Sequence, residues 1–211
     1  MITKELENFR AARRRSLTAI RVLSQEQTEF APPGRWSAGE IFDHLLASER
    51  TWRTTLARLI ELEKSGRVPV IVHEAEAMKT PLGTIPKQAA ALLTIPMTMM
   101  NMMVPAGVTQ YLLRNRLFAA QAPKSIQPSK GRSVVALERD LIESLERTEA
   151  LLAANPGANW RRLCALHPVL GRVTAPGMLA MLAAHEDRHL KQLRELLASA
   201  PVTAEALTAV H

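Results

Sequence analysis

The sequence predicts an all-α four-helix bundle, on three observations. Four segments carry apolar residues at spacings of three and four, the period of a helix with one buried face. Residues that start or stop helices bound each of them. No alternating run of β-branched residues and no internal repeat interrupts the pattern. A chain of 211 residues, 47% hydrophobic and 22% charged, has the composition of an ordinary globular protein with a sizeable core. We expect a single domain over 1–211, with an irregular insertion at 83–121 and a tail at 201–211.

The first helix is expected over residues 3 to about 27, where Ile2, Leu6, Phe9, Leu17, Ile20 and Leu23 recur with charges between them. Ala31-Pro32-Pro33-Gly34 stops it. The second starts at Ser37, whose three-residue spacing to Glu40 is that of a capping box, and Trp36 can staple onto Ile41. Its stripe is Ile41, Leu45, Trp52, Leu56 and Leu59. Gly66-Arg67-Val68-Pro69 ends it, and 66–82, including His73, reads as a loop.

From 83 to 121 the chain is apolar but broken by Pro86, Pro96 and Pro105. Met97, Met99, Met100, Met102 and Met103 cluster here. Thioethers can bind Cu(I), but packing in a core, or the wall of a pocket or dimer interface, is the preferred reading. A polar connection over 122–132 leads to Ser133, which can cap a third long helix burying Val134, Leu137, Leu141, Leu145 and Leu152. That helix stops at Asn155-Pro156-Gly157. A loop follows, and Thr174 and Pro176 open the last helix.

The last helix holds the chemistry. His185 and His189 stand four apart on the stripe of Met178, Leu182, Leu193 and Leu196. Such a pair is offset by only ~40° and ~6 Å, so both imidazoles can reach one metal ion. His44, at the edge of the second helix's stripe, is the natural third ligand. Three inward histidines from two helices of a bundle are hard to explain without a metal. Three neutral imidazoles leave a coordination position open on zinc, nickel or iron, which separates a catalytic site from a closed structural one.

The letters 185–189 also spell His-Glu-x-x-His, the zinc-protease signature with Glu186 as general base. The extended version needs a Gly and a third His where Gln192 and Glu195 stand, so this reading ranks behind. Glu186, beside a ligand, remains the candidate proton carrier, whereas Glu40 is read as a cap. Arg188 is read as a surface ion pair in preference to a substrate anchor, and a Cys164/His167 nucleophile pair is disfavoured.

A net charge of +7 raises the question of nucleic acid, with Arg13-Arg14-Arg15, Arg161-Arg162 and Lys124 to Arg132 as contacts. Three successive arginines fan over more than half a helix circumference, and aromatic residues make up only 4%, so solvated surface is preferred and no nucleic-acid partner is expected. Cys164 stands alone, no signal-peptide pattern opens the chain, and no stretch of eighteen apolar residues occurs. A cytoplasmic protein that does not cross a membrane is expected.

Trp36-Ser37-x-x-Glu40-x-x-x-His44-Leu45, His167-Pro168-x-x-Gly171-x-x-Thr174 and His185-x-x-Arg188-His189-x-x-Gln192 resemble, in order and spacing, the DinB-like superfamily. The resemblance covers most of the chain, with 36–49 and 160–193 carrying its specificity. It implies a four-helix bundle, often a homodimer, in which His44, His185 and His189 bind a divalent metal, while His167 anchors a loop. It further implies a metal-dependent enzyme acting on a small molecule, either a thiol-dependent S-transferase using a low-molecular-weight thiol or a hydrolase. A non-catalytic, metal-stabilised bundle that binds a ligand or partner is the alternative.

Overall fold

A computed structural model of the chain describes residues 2–72, 126–167 and 171–199. His73, the Met-rich stretch and the 201–211 tail lie outside the described residues. Five helices and three short strands are described: α1 Thr3–Arg21, α2 Gln25–Glu29, α3 Ala38–Lys64, β1 Val70–Val72, α4 Val134–Ala153, β2 Cys164–His167, β3 Gly171–Thr174 and α5 Ala175–Ala198.

Every described helix except α1 begins where a side chain replaces a missing backbone partner of its first turn. Ser37 Oγ accepts from the Glu40 amide at 3.1 Å while Glu40 Oε2 accepts from the Ser37 amide at 2.9 Å, the reciprocal box read from the sequence. Ser133 and Thr174 cap α4 and α5 more simply, each accepting from the amide three residues on, of Ala136 and Gly177, with Pro176 in the first turn of α5. The first helix is shorter than expected. It ends at Arg21, and Ser24 forms a second capping box with Gln27 that starts α2. A strong local cap overrides a continuous apolar period.

The helix directions follow from charge pairs. Arg10 reaches Glu149 at 2.5 Å and Arg21 reaches Glu138 at 2.6 Å, so α1 and α4 run antiparallel. Arg53 of α3 donates to Ser144 and Thr148 of α4, while Asp43 lies near the start of α4 through Arg132, which also pairs with Asp140. The helices α3 and α4 are therefore parallel. In the core, Phe9 packs with Leu179 and Leu182, and Ile20 with Leu190 and Leu193, which sets α5 parallel to α1 and antiparallel to α3.

The core falls into two apolar clusters. One gathers Phe9, Leu56, Leu59, Leu152, Leu179 and Leu182, the other Ile20, Ile41, Leu45, Leu137, Leu141 and Leu193. Between them each helix contributes buried polar residues: Arg13 and Ser16 from α1, Glu49 from α3, Ser144 and Thr148 from α4, and Glu186 from α5. Arg13, read from the sequence as solvated surface, is fully buried. Of its two neighbours, Arg14 is exposed and Arg15 pairs with Asp187 at the surface.

The three strands are a second departure from the sequence reading, which made both regions loops. β1 pairs parallel with β2 in the register Val70↔Cys164, and β2 pairs antiparallel with β3, Cys164↔Thr174. Leu163, Ala165 and Val173 close the end of the first cluster. The strands are too short for alternation to show; β2 and β3 pair locally as a hairpin, whereas β1 joins them from a segment far back in the chain. The hairpin hands the chain directly to the Thr174 cap and so places the start of α5.

Replacing Ser37 by Ala is expected to lower unfolding free energy by about 1 kcal/mol, read by urea denaturation, because the Glu40 amide loses its acceptor at a buried helix start.

Candidate metal centre

The capping box starts α3 two turns before His44, and Glu40, spent on that cap, takes no other role. His44 is buried on α3, His189 is buried on α5 and His185 is half-buried one turn before it. The antiparallel crossing of the two helices brings the three rings together. The centroid of His44 lies 5.0 Å from those of His185 and His189, and the latter two are 4.5 Å apart. One ring nitrogen from each residue falls within 4.8 Å of the others, close enough for a single ion.

The protons on these rings are fixed by what lies behind them. His44 Nδ1 is 2.7 Å from the Ile126 carbonyl, and His189 Nδ1 is 2.9 Å from Gln192 Oε1. A carbonyl or amide oxygen only accepts, so each Nδ1 donates, and Nε2 is the nitrogen each ring can offer to an ion. His44 Nε2 and His185 Nε2 stand 3.1 Å apart. This donor set fits a borderline dication such as zinc, nickel or iron(II), with the outer hydrogen bonds that metal-bound histidines require.

Burial lowers the pKa of His44 against the opposing pull of the Ile126 hydrogen bond, and the Arg188 charge adds to the lowering. His185 is held well below the ordinary imidazole range, first by its removal from water and then by His189, His44 and Arg188. Both rings are therefore kept in the neutral form that a metal needs.

Neighbouring residues complete the walls. Asp43, the residue before His44, accepts from the Ser129 amide at 2.7 Å and from Arg132 at 2.5 Å, pinning the segment that carries the Ile126 carbonyl. The Trp36 ring lies 4.8 Å from that of His44 and stacks 6.2 Å from that of His189. Ser48, one turn along α3 from His44, is buried and its hydroxyl has no hydrogen-bond partner among the described residues. On the same helix Thr51, Thr54 and Thr55 each donate to a carbonyl one turn back, which Ser48 does not.

Glu186 does not join the cluster. Its Oε1 accepts from Arg13 Nε at 2.8 Å and lies 2.5 Å from Arg13 Nη2 as an ion pair, and its Oε2 accepts from the Ser16 hydroxyl. Both oxygens face α1, so the structure brings Glu186 to Arg13 and Ser16 and not to the three rings. Cys164 is buried and burial raises its thiol pKa, which disfavours the nucleophile reading. The side chain of His167 lies outside the described residues. Sequence reasoning missed Ile126 and Asp43, which carry no local signal, and Arg13, which its neighbours disguised as a surface run. Gln192 stood at i+3 from His189, the spacing at which a helical side chain reaches a ring nitrogen, and could have been found.

Two outcomes are expected of the metal-free protein. Unfolded histidine titrates near pH ~6.5, and the folded pKa values of His44 and His185 lie lower, so the unfolded chain binds protons first. Stability is therefore full above pH ~6.5 and falls as the pH drops below it towards the folded values, seen as a falling urea midpoint; His185→Gln flattens that decline. Ser48→Ala is expected to raise the thermal midpoint, by about 1 kcal/mol in stability, because it removes a buried hydroxyl without a partner.

No curated protein and no solved structure matches the chain at a significant level. The model of the DinB superfamily matches residues 8–193, a span that takes in α3 and α4, most of α1 and α5, and all three histidines. By the extent of that match, the chain belongs to the DinB superfamily.

Proposed function

We propose that this protein is a metal-dependent enzyme acting on a small molecule, with a divalent ion on His44, His185 and His189 and a coordination position left for substrate. The observation that carries the proposal is the convergence of the three ring nitrogens, two of them freed by Nδ1 hydrogen bonds to Ile126 and Gln192. A bound zinc, nickel or iron ion would supply Lewis acidity, lowering the pKa of a thiol or water at the open position.

The rest falls to the chain. His44 and His189 are locked in one tautomer by their acceptors, so no reorientation is needed when a ligand arrives. Trp36 supplies an apolar wall on one side of the rings. The Arg188 charge, felt at both His44 and His185, favours an anion such as a thiolate or hydroxide beside them. The Ser48 hydroxyl is a polar group with hydrogen-bonding capacity to offer a bound molecule.

The reaction proposed is a thiol-dependent S-transfer, using a low-molecular-weight thiol as cosubstrate, or a hydrolysis. A single domain, a homodimeric assembly and a cytoplasmic location complete the reading, supported by the family, by the lone buried Cys164 and by the absence, among the described residues, of any helix long and apolar enough to cross a membrane.

His44→Ala is expected to abolish metal uptake, measured by elemental analysis of purified protein, with the helical circular dichroism retained. Full occupancy in that variant would overturn the site. In cobalt-substituted protein, a thiol that changes the visible spectrum selects the transferase; hydrolysis of small esters or amides without any response to thiols selects the hydrolase.

A further inference from the structure

The polar layer that divides the core lies immediately beside the histidines, and its geometry gives it a second consequence. Arg13 spans the bundle. Its Nε donates to Glu186 of α5, whose Oε1 also lies 2.5 Å from Nη2 as an ion pair; Nη2 donates to Glu49 of α3 at 2.9 Å, and Nη1 to the Leu141 carbonyl of α4 at 2.8 Å. Glu49 Oε1 in turn accepts from Thr148 at 2.6 Å and lies 3.7 Å from Arg53, and Ser16 donates to Glu186. Arg13 and Glu49 are fully buried and Glu186 nearly so. Two cations and two carboxylates balance, and both oxygens of each carboxylate are engaged.

The two carboxylates sit on the helices that carry the ligands. Glu186 directly follows His185, and Glu49 follows His44 by five residues, roughly 7.5 Å of helix rise. The apolar clusters on either side fix the register less sharply than charges do, because at several positions a one-turn shift exchanges one apolar side chain for another, as Ile41 for Leu45, Phe42 for Leu46 or Leu56 for Ile60. Such a shift of α3 against α5 would move His44 by about 5.4 Å and take it out of reach of the ion that His185 and His189 hold. The same shift would strand Glu49 or Glu186 as a buried, unpaired charge, the kind of penalty by which a single polar position fixes register in coiled coils.

We infer that Arg13, through Glu49 and Glu186, is a positioning residue for the histidine site: the layer it organises sets the axial register of α3 against α5 that brings His44 to His185 and His189. This rests on the metal reading above. It assigns Glu186 and the buried arginine a role that neither the protease signature nor the arginine run suggested.

The test measures affinity for zinc and for cobalt alone, by competition with a chromophoric chelator, on wild-type protein and on Glu186→Gln, Arg13→Lys and Ser16→Ala. Leu152→Ala serves as the control, since it damages the core at the far cluster without touching the layer. Only preparations with native helical circular dichroism at the assay temperature are compared. Glu186→Gln and Arg13→Lys are expected to weaken zinc binding at least tenfold and to alter the cobalt visible bands, and Ser16→Ala to weaken it less. Leu152→Ala is expected to lower the thermal midpoint while leaving affinity within threefold. Should Arg13→Lys fail to fold, Glu186→Gln and Ser16→Ala decide. Unchanged affinity and cobalt spectrum in Glu186→Gln, or a loss in Leu152→Ala as large, would overturn the inference while leaving the metal site standing. A wild-type protein that takes up neither ion would remove both.

Discussion

The guanidinium of Arg13 is the constraint on which the rest of this structure depends. A full charge at the centre of a helical bundle is tolerated only when its desolvation is offset by partners of good geometry. Burial works against the charged form here, but Glu186 and Glu49 outweigh it and hold the guanidinium above its ordinary value. Its stem and head pack near Phe9, 5.3 Å from the ring centre, so the same residue joins the apolar cluster to the polar layer. Removing any one partner would leave an uncompensated charge, which ties four helices to one arrangement.

That layer also decides which way the glutamate of the His-Glu-x-x-His letters faces. In a zinc protease the glutamate between the two histidines faces the metal. Here Glu186 follows His185 by one residue, about 100° around the helix, and the apolar residues Leu182 and Leu190 that flank it turn it to α1. His185 and His189, on the adjoining face, turn to α3. One helix thus presents two chemistries on two faces, a neutral nitrogen cluster and a charged anchor.

The site itself is supported from several directions. The α3 cap sets the height of His44, and the hairpin of β2 and β3 sets the start of α5. Asp43 and Arg132 pin the segment that offers the Ile126 carbonyl, while Gln192 supports His189 from within α5. The imidazoles are thereby preorganised, and the cost of ordering them is met by folding rather than by metal binding.

Much of this was legible in the sequence because it is local. Ser37 and Glu40, Ser133 and Thr174 mark helix starts through hydrogen bonds within one turn, and the four-residue spacing of His185 and His189 fixes their shared face without any knowledge of the partner helix. The helical periodicity around His44 also identified the third ring. What the tertiary structure decided is everything that depends on which residues meet across the bundle. The burial of Arg13, the turning of Glu186 away from the histidines, the Ile126 carbonyl behind His44 and the pairing of β1 with β2 all join segments far apart in the chain. Spacing records the face a residue occupies on its own helix, but the charge or ring opposite it is set only when the helices dock.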